Sequence, residues 1–267
     1  MSIPPILLVG CGRMGSAMLT GWREQGLAAS VAVDPAPAAS GWNGADLTVV
    51  PDAAAVPDGF APAAVVFAVK PQNAAETLPH YGRFARSAAF LSIMAGRTIG
   101  GMRGLLGGAA AVVRAMPNTP AAVRQGVTVA CPGPGVSAAQ RALCERLLTA
   151  IGVVAWVEDE ALLDAVTAVS GSGPAYVFLL AELMERAALE QGLPSDLARL
   201  LARQTVAGSG ALLAASEEDA AALRVAVTSP GGTTERALSV LMAADAWPAS
   251  LGRAIAAATV RSRELAG

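Results

Sequence analysis

A stretch of small, hydrogen-bonding residues stands near the end of the chain, at Val227–Leu238 (VTSPGGTTERAL). A proline and two glycines interrupt the chain, two threonines follow, and a helical pattern then begins. The stretch predicts a tight turn with a helix N-cap, because Ser, Thr and Gly are favoured at N-caps and Pro in the first turn. It also fits an anion site, because free N–H groups and the helix dipole converge at such a helix start. These residues alone leave both interpretations open.

A second candidate is the glycine-rich segment Gly10–Gly15 (GCGRMG), which matches G-x-G-x-x-G between an apolar run and a helical pattern. In that context the spacing indicates a dinucleotide site. The first glycine makes the turn, the second lets the backbone approach a pyrophosphate, and the third lets the helix pack close to the strand. Asp34 follows about 20 residues later, where an acid can accept hydrogen bonds from ribose hydroxyls. We interpret Cys11 as a small packing residue and not as a reactive thiol.

A third candidate, Phe67–Pro71 (FAVKP), ends a predicted strand on the edge where ligands bind in open α/β sheets. Lys70, the only lysine, is either a solvated strand end or a ligand contact. The only histidine, His80, lies in the loop-like LPHYG, which indicates a surface residue and leaves a general base as the alternative. One histidine and three widely spaced cysteines (Cys11, Cys131 and Cys144) argue against a zinc site or a disulfide framework, so no metal is expected.

The composition restricts the class of protein. The chain has 267 residues, enough for one large or two ordinary domains, and is 54% apolar and only 15% charged. Its net charge of −2 offers no basic footprint for nucleic acid. The apolar segment Ile3–Val9 is short and lacks a basic flank, so it predicts a strand and not a signal peptide. The most membrane-like stretch, Ala165–Met184, is broken by SGSGP and carries Glu182, so we expect no membrane span and a cytoplasmic location.

The first part of the chain alternates apolar runs with helical patterns, which predicts a mostly parallel, doubly wound sheet covered by helices on both faces. The helical patterns include Met14–Gln25, Ala74–Tyr81 and Ala138–Ala150. The predicted strands are β-branched or continuously apolar, as buried strands are: Ile6–Val9, Val31–Val33, Val65–Val69, Phe90–Met94, Val112–Met116, Val127–Ala130 and Val153–Val157. Together these elements predict an α/β Rossmann-type domain over residues 1–157.

After Glu158 the pattern predicts helices only. They lie at Leu162–Val169, Ala175–Gln191, Ser195–Ala215, Thr234–Met242 and Pro248–Leu265, and the breaks are SGSGP, QGLPSD, SEEDA and SPGGT. A second, all-helical domain over residues 158–267 follows, of a plausible size for an independent unit. Its segment Val169–Leu189 is too apolar for a small exposed domain, so we expect it to join subunits.

Six segments, taken in order, closely resemble the pyrroline-5-carboxylate reductase family. They are VGCGRMG, AVKP, MPNTP, DAVTAVSGSGPAYVF, VTSPGGTTERAL and RSREL, and they run from Val9 to Leu265. The segment Asp164–Phe178 together with SPGGTT is highly specific. The resemblance implies a hydride transfer from NADH or NADPH to the C=N carbon of 1-pyrroline-5-carboxylate. The product is L-proline, in the last step of proline biosynthesis.

The resemblance also implies an assembly and a set of site residues. Family members pair through interlocked helical domains as a homodimer, or as a ring of dimers, and the partner contributes to the active site. In the family, the loop that matches Ser229–Thr234 holds the substrate carboxylate, and the threonine that matches Thr234 hydrogen-bonds the ring nitrogen as the catalytic contact. The expected substrate contacts are Ser229, Gly231, Gly232, Thr233, Thr234, Asn118, Ser172 and Gly173. For the last three, a turn or a helix cap is the structural alternative.

The cofactor residues expected from the glycine turn and the resemblance surround four strand ends. They are Gly10, Cys11, Gly12, Arg13, Met14, Gly15, Asp34, Ala68, Val69, Lys70, Pro71, Ala95 and Gly96. Asp34 favours NADH, because an acid binds ribose hydroxyls and repels a 2′-phosphate. A turn-starting Asp-Pro at the end of a strand is the structural alternative for this residue. The habit of the family favours NADPH, and Arg13 is the one nearby cation that could compensate.

Three alternative functions remain at the level of sequence. The first is reduction of a related cyclic imine. The second is a β-hydroxyacid-type dehydrogenase, which this chain disfavours because such enzymes use a lysine of the helical domain and no lysine follows Lys70. The third is a non-catalytic dinucleotide sensor, which would have no use for an imine-binding loop.

Overall fold

The computed structural model describes residues 2–266, which form two compact units. One unit extends up to Gly171 and again from Ala258 onward, and the other comprises Ser172–Ala257. These units are defined by contacts within the chain. The sequence-based division is different, because it rests on the change from alternating strands and helices to helices alone. The predicted domain boundary between residues 157 and 158 stays a prediction.

The first unit contains an eight-stranded sheet in the order β3-β2-β1-β4-β5-β6-β7-β8. Neighbouring strands are parallel, except for the antiparallel pair β6 and β7. Strand order reverses on either side of β1, as in dinucleotide-binding folds, and the predicted mostly parallel Rossmann-type sheet is confirmed. The strands are β1 Ile6–Val9, β2 Ser30–Val33, β3 Leu47–Val50, β4 Ala64–Phe67, β5 Ala89–Ser92, β6 Ala111–Met116, β7 Gly126–Pro132 and β8 Gly152–Trp156.

Ten α-helices accompany these strands among the described residues, and the second unit contains helices without strands. The helical part that was predicted is confirmed. The helices are α1 Arg13–Glu24, α2 Ala74–Thr77, α3 Ile99–Leu106, α4 Ala138–Thr149, α5 Leu162–Val166, α6 Gly173–Glu190, α7 Ser195–Ala215, α8 Ala220–Ala226, α9 Thr233–Leu241 and α10 Trp247–Ala266.

Two apolar layers cover the faces of the sheet. Alternate strand residues, such as Leu8 and Leu91, pack on one side with α1 and α4. Their neighbours, such as Leu7 and Phe90, pack on the other side with α3 and a 3₁₀ segment, Leu78–Phe84. Both faces of the sheet are covered by apolar side chains, so little polar surface remains on them. Ligand-binding groups are therefore expected beyond the carboxyl ends of the strands.

Three elements are missing from the sequence-based prediction: β3, α3 and α8. Strand β3 is half exposed at the edge of the sheet and includes Thr48, so it lacks a continuous apolar run. Helix α3 carries three glycines, and its ends are defined by capping, with the Thr98 hydroxyl accepting from the Gly101 amide and Gly107 in the left-handed conformation at φ 97°. Helix α8 begins at an Asp219 cap.

The predicted helix Leu162–Val169 and the predicted break after it are wrong in detail, because α5 passes into a π-helical turn, Thr167–Gly171. The Thr167 and Ser170 hydroxyls donate to carbonyls four residues earlier, at 2.7 and 3.0 Å. Such side-chain bonds compete with the backbone hydrogen bonds of an α-helix. The chain continues here as a π-helical turn, in which each turn holds more residues.

The contact between α1 and α4 includes one buried hydrogen bond of a tryptophan side chain. Trp22 is fully buried, and its indole Nε1 donates to the Leu147 carbonyl at 2.8 Å. Trp22→Phe keeps an aromatic ring and leaves that carbonyl without its donor, so the free energy of unfolding should fall by about 1–3 kcal/mol. Urea unfolding at one fixed protein concentration measures it. Trp42→Phe, at a partly exposed site, is the control and should cost clearly less. Equal losses for the two variants would contradict the role of the Trp22 hydrogen bond.

Candidate functional site

The carboxyl ends of β1, β2 and β4 open into a cavity of about 560 Å³ in the first unit. Six predicted cofactor residues line it: Gly10, Gly12, Asp34, Ala68, Val69 and Lys70. Cys11, Arg13, Met14, Gly15, Pro71, Ala95 and Gly96 are not among its lining residues. The cavity therefore gathers residues from three separate strand ends, at the point where a doubly wound sheet binds its ligand.

The three motif glycines occupy different environments. Gly10 has φ 99°, and a β-carbon there would lie 2.9 Å from the Ala68 carbonyl oxygen. A β-carbon on Gly15 would collide with the Gly10 carbonyl oxygen. At Gly12, by contrast, a β-carbon would meet no atom within 4 Å. Packing explains the first and third glycines, whereas the open backbone of Gly12, at the N-cap of α1, offers a surface for a ligand.

That surface suits a negatively charged group. The first amides of a helix have no partner inside the helix, and α1 has no side-chain cap and no acid in its first turn. The residues present thus fit the diphosphate of a dinucleotide at this helix start.

Asp34 is held at the end of β2 by two backbone amides. Its Oδ2 accepts from the Cys11 N–H at 2.6 Å, and its Oδ1 accepts from the Ala36 N–H at 2.8 Å. The side chain therefore joins the glycine turn to the start of the next segment and keeps its carboxylate at the cavity wall. Each oxygen can accept a further hydrogen bond, so the carboxylate remains able to bind hydroxyl groups.

Cys11 follows the first glycine and is only partly exposed. Burial, and secondarily the negative charge of Asp34, raise the pKa of its thiol to about 11. The thiol therefore stays protonated near neutral pH, where a thiolate would be the nucleophile. This supports the interpretation of Cys11 as a packing residue.

The loops after β4 and β5 are tied to each other. Arg97 donates from Nε to the Pro71 carbonyl at 2.8 Å. The amide of Ile99 donates to Glu160 at 2.8 Å, and the same Glu160 oxygen accepts from the buried Arg114 at 2.9 Å. The loop that carries Ala95 and Gly96 is thus fixed at its C-terminal side, although it does not line the cavity.

Several cavity residues were not identified from the sequence. They are Asp52, Ala53, Asn73, Glu76, Thr77 and Tyr81, and His80 stands with them at the cavity wall as an exposed residue. Asp52 and Ala53 follow the missed strand β3, so recognising that strand would have pointed to them. Burial, and secondarily Asp52, raise the pKa of Tyr81 to about 12, which keeps its phenol neutral.

Asn118 is buried, and its Oδ1 accepts from the Val127 amide at 2.9 Å. The oxygen thus holds the turn after β6 against the start of β7, as the structural alternative requires. Any substrate contact by Asn118 would therefore use its Nδ2 group, which can donate two hydrogen bonds.

In the second unit, the loop before α9 contains the predicted carboxylate site. Gly231 has φ 70°, whereas Gly232 is the N-cap of α9 with φ −85°, so the left-handed conformation belongs to Gly231. The Gly231 amide donates to Glu235 at 2.8 Å, and the Gly232 amide donates to the Ser229 carbonyl at 3.0 Å. The donors left for an anion are the amides of the first helical turn, at Thr233 and Thr234.

Ser172 and Gly173 stand at the start of α6, where Ser172 is the N-cap without a side-chain capping bond. A β-carbon on Gly173 would meet no atom within 4 Å, so packing does not require glycine there. Among the described residues, no group of three or more His, Cys, Asp or Glu side chains could hold a metal ion.

Comparison with known proteins gives a consistent result. The pyrroline-5-carboxylate reductase dimerisation family matches residues 160–265. A pyrroline-5-carboxylate reductase of Pseudomonas aeruginosa is 39% identical over 273 aligned residues, which cover 100% of this chain and 98% of that protein.

Solved structures agree with the sequences. The structure of a pyrroline-5-carboxylate reductase from Coxiella burnetii has a TM-score of 0.91 and 31% identity, with 100% of both chains covered. A pyrroline carboxylate reductase of Plasmodium falciparum, solved with NADP bound, has a TM-score of 0.82 and 26% identity, again over 100% of both chains.

Proposed function

The chain belongs to the pyrroline-5-carboxylate reductase family, and from this premise we propose which residues hold the two reactants and which reduced nicotinamide the enzyme prefers. It is an NAD(P)H-dependent oxidoreductase that acts on a C=N bond. It reduces 1-pyrroline-5-carboxylate to L-proline, in proline biosynthesis.

The cofactor site lies at the cavity on the carboxyl edge of the sheet. The open backbone of Gly12 at the start of α1 is the observation that carries this assignment, because nothing in the protein fills that space. The diphosphate binds the amides of this helix start. Ala68–Pro71 and the loop with Ala95 and Gly96 extend the site along the neighbouring strands β4 and β5.

NADH is used at least as well as NADPH. The cavity wall carries three acids, Asp34, Asp52 and Glu76, and one lysine, Lys70. A 2′-phosphate would be repelled by these acids, whereas the ribose hydroxyls of NADH donate to a carboxylate such as that of Asp34. The structure of the Plasmodium falciparum relative, which has NADP bound, favours NADPH instead.

The substrate is held by the loop before α9. Its carboxylate binds the amides of Thr233 and Thr234 at the positive end of the helix dipole, beside Ser229, Gly231 and Gly232. Thr234 is the catalytic contact, with its hydroxyl hydrogen-bonded to the ring nitrogen. Asn118, Ser172 and Gly173 are additional substrate contacts.

The reaction makes few demands on side-chain chemistry. The cofactor supplies a hydride, and a protonated imine is already electrophilic, so the protein's task is to orient the reactants and exclude water. The carbon accepts the hydride, and the nitrogen keeps its proton and becomes the amine of L-proline. This agrees with the absence of a histidine from the proposed substrate residues.

The chain is an oligomer, as the dimerisation family requires, and we assign the interface to a helical domain of residues 158–267 preceded by a dinucleotide domain of residues 1–157. Helices α6 and α10 line an apolar groove of about 360 Å³ with Val177, Leu179, Trp247 and Leu251, all largely exposed in one chain. A second chain covers this surface in a homodimer, and the dimers assemble further into a ring.

The same assignment bears on location. The helical run Leu162–Glu190 is long and apolar enough to span a membrane by length and composition alone. Because the dimerisation match includes this run, we assign its exposed apolar side chains to the subunit interface. The enzyme is accordingly cytoplasmic, with neither membrane nor nucleic acid as a partner.

The cofactor proposal predicts the effect of Asp34→Ser. The ratio of kcat/KM for NADH to that for NADPH should be about one or more in the unmodified enzyme. It should fall in the variant by roughly tenfold or more, since one hydrogen bond to a charged group and one repulsion are lost. Steady-state kinetics with each cofactor measure the ratio. Asp58→Ser, which removes an exposed acid, is the control. A tenfold preference for NADPH at the outset, or a ratio unmoved in Asp34→Ser, would contradict the proposal.

The substrate proposal predicts that Gly232→Val abolishes turnover and preserves binding of the reduced cofactor. A β-carbon there would lie 2.9 Å from the Ser229 carbonyl oxygen and would distort the loop. Thr234→Ala should lower kcat/KM by about one to two decades, and Thr234→Ser should restore most of it. Gly104→Val, at an open and exposed position of α3, is the control. Ordinary Michaelis behaviour in Gly232→Val would exclude the loop from the site.

The assembly proposal predicts at least a dimer in solution at micromolar concentration. Sedimentation velocity should show no significant species near the chain mass of 26.7 kDa. A single species of two chains would overturn the ring and keep the homodimer. A monomer would overturn both.

A further inference from the structure

The last turns of α10 return to the first unit and bury one polar side chain there. Ser262 is only 5% exposed, whereas its neighbours Arg261 and Arg263 are exposed. Its hydroxyl donates to Asp164 Oδ1 at 2.7 Å. A buried hydroxyl is costly without a partner, so this bond fixes where the end of α10 rests against α5.

One turn further along α10, Leu265 meets the loop between β5 and α3. A β-carbon on Gly96 would lie 3.1 Å from the Leu265 carbonyl oxygen and 3.2 Å from the Leu265 β-carbon. Residues three apart on a helix share a face, so Ser262 and Leu265 present one surface to the first unit. A shift of α10 at Ser262 would therefore move Leu265 relative to Gly96.

Gly96 has φ 67° and is almost fully enclosed. On the C-terminal side of Gly96, the loop is fixed by the bonds of Arg97 to Pro71 and of Ile99 to Glu160. Leu265 supplies a support at Gly96 itself. The loop is thus held between the sheet edge and the end of α10, and it can shift if the end of α10 moves.

We propose that Ser262 is a positioning residue for cofactor binding, which acts by seating α10 on Asp164 so that Leu265 holds Gly96 and its loop in place. The inference rests on the proposed contact of Ala95 and Gly96 with the cofactor. Ser262 itself lies outside the residues proposed to bind the two reactants.

The test is the dissociation constant of NADH for the full-length enzyme, measured by fluorescence titration together with steady-state kinetics. Ser262→Ala should weaken NADH binding by about tenfold, because the hydrogen bond that seats the end of α10 beside the loop is lost. The KM for 1-pyrroline-5-carboxylate at saturating NADH should stay within about twofold. Ser262→Thr, which keeps a hydroxyl, should restore NADH binding.

Two further variants complete the design. Ending the chain after Glu264 removes Leu265, whose carbonyl oxygen and β-carbon face Gly96, and should reproduce the weaker NADH binding even if Ser262→Ala folds poorly. Thr149→Ala, which removes an exposed helix hydroxyl bonded to the Glu145 carbonyl, is the matched control and should bind NADH normally.

The outcomes separate this inference from the proposed cofactor site. Ala95→Glu places a negative charge in the loop and should weaken NADH binding if the loop contacts the cofactor. If it does so while Ser262→Ala and the chain that ends at Glu264 bind NADH normally, the positioning role is wrong and the cofactor site stands. If Ala95→Glu binds NADH normally, the loop does not contact the cofactor, and the positioning role of Ser262 is wrong as well. A lowered melting temperature of Ser262→Ala with unchanged NADH binding would show a purely structural bond and overturn the inference.

Discussion

The turn between β1 and α1 is the constraint on which the site depends. Gly10 must adopt φ 99°, and Gly15 must pass directly over the Gly10 carbonyl, so no β-carbon fits at either position. This close packing brings the start of α1 to the carboxyl edge of the sheet. The Asp34 carboxylate then binds the Cys11 amide and joins the end of β2 to the same turn. Only Gly12 remains open, and that is where a ligand can approach the backbone.

The small net charge of the chain fits binding sites built from backbone amides. Both sites proposed for anionic groups consist of backbone amides at helix starts, α1 in the first unit and α9 in the second. The proposed reaction assigns no role to a general base. The groups whose pKa values shift most, including Cys11 and Tyr81, are instead kept neutral by burial.

The helical part of the chain has two tasks. Helices α6 and α10 carry exposed apolar side chains, and both helices lie in the region that the dimerisation family matches, residues 160–265. Yet the end of α10, through Ser262, packs on the unit that contains the sheet. Residues that sequence comparison assigns to dimerisation therefore also support the loop beside the proposed cofactor site. The compact units and the pattern-based domains differ for this reason.

The sequence by itself determined the fold class, the glycine turn and the family. These depend on local periodicity, on the spacing of glycines and on specific short segments, all of which a linear chain displays. It did not reveal β3, because an edge strand can be short and half exposed, and so it missed Asp52 at the cavity wall. Nor could it reveal the partners of Asp34, the bond of Arg97 to Pro71 or the contact of Leu265 with Gly96. Those join residues far apart in the chain, and only tertiary packing decides which distant groups meet.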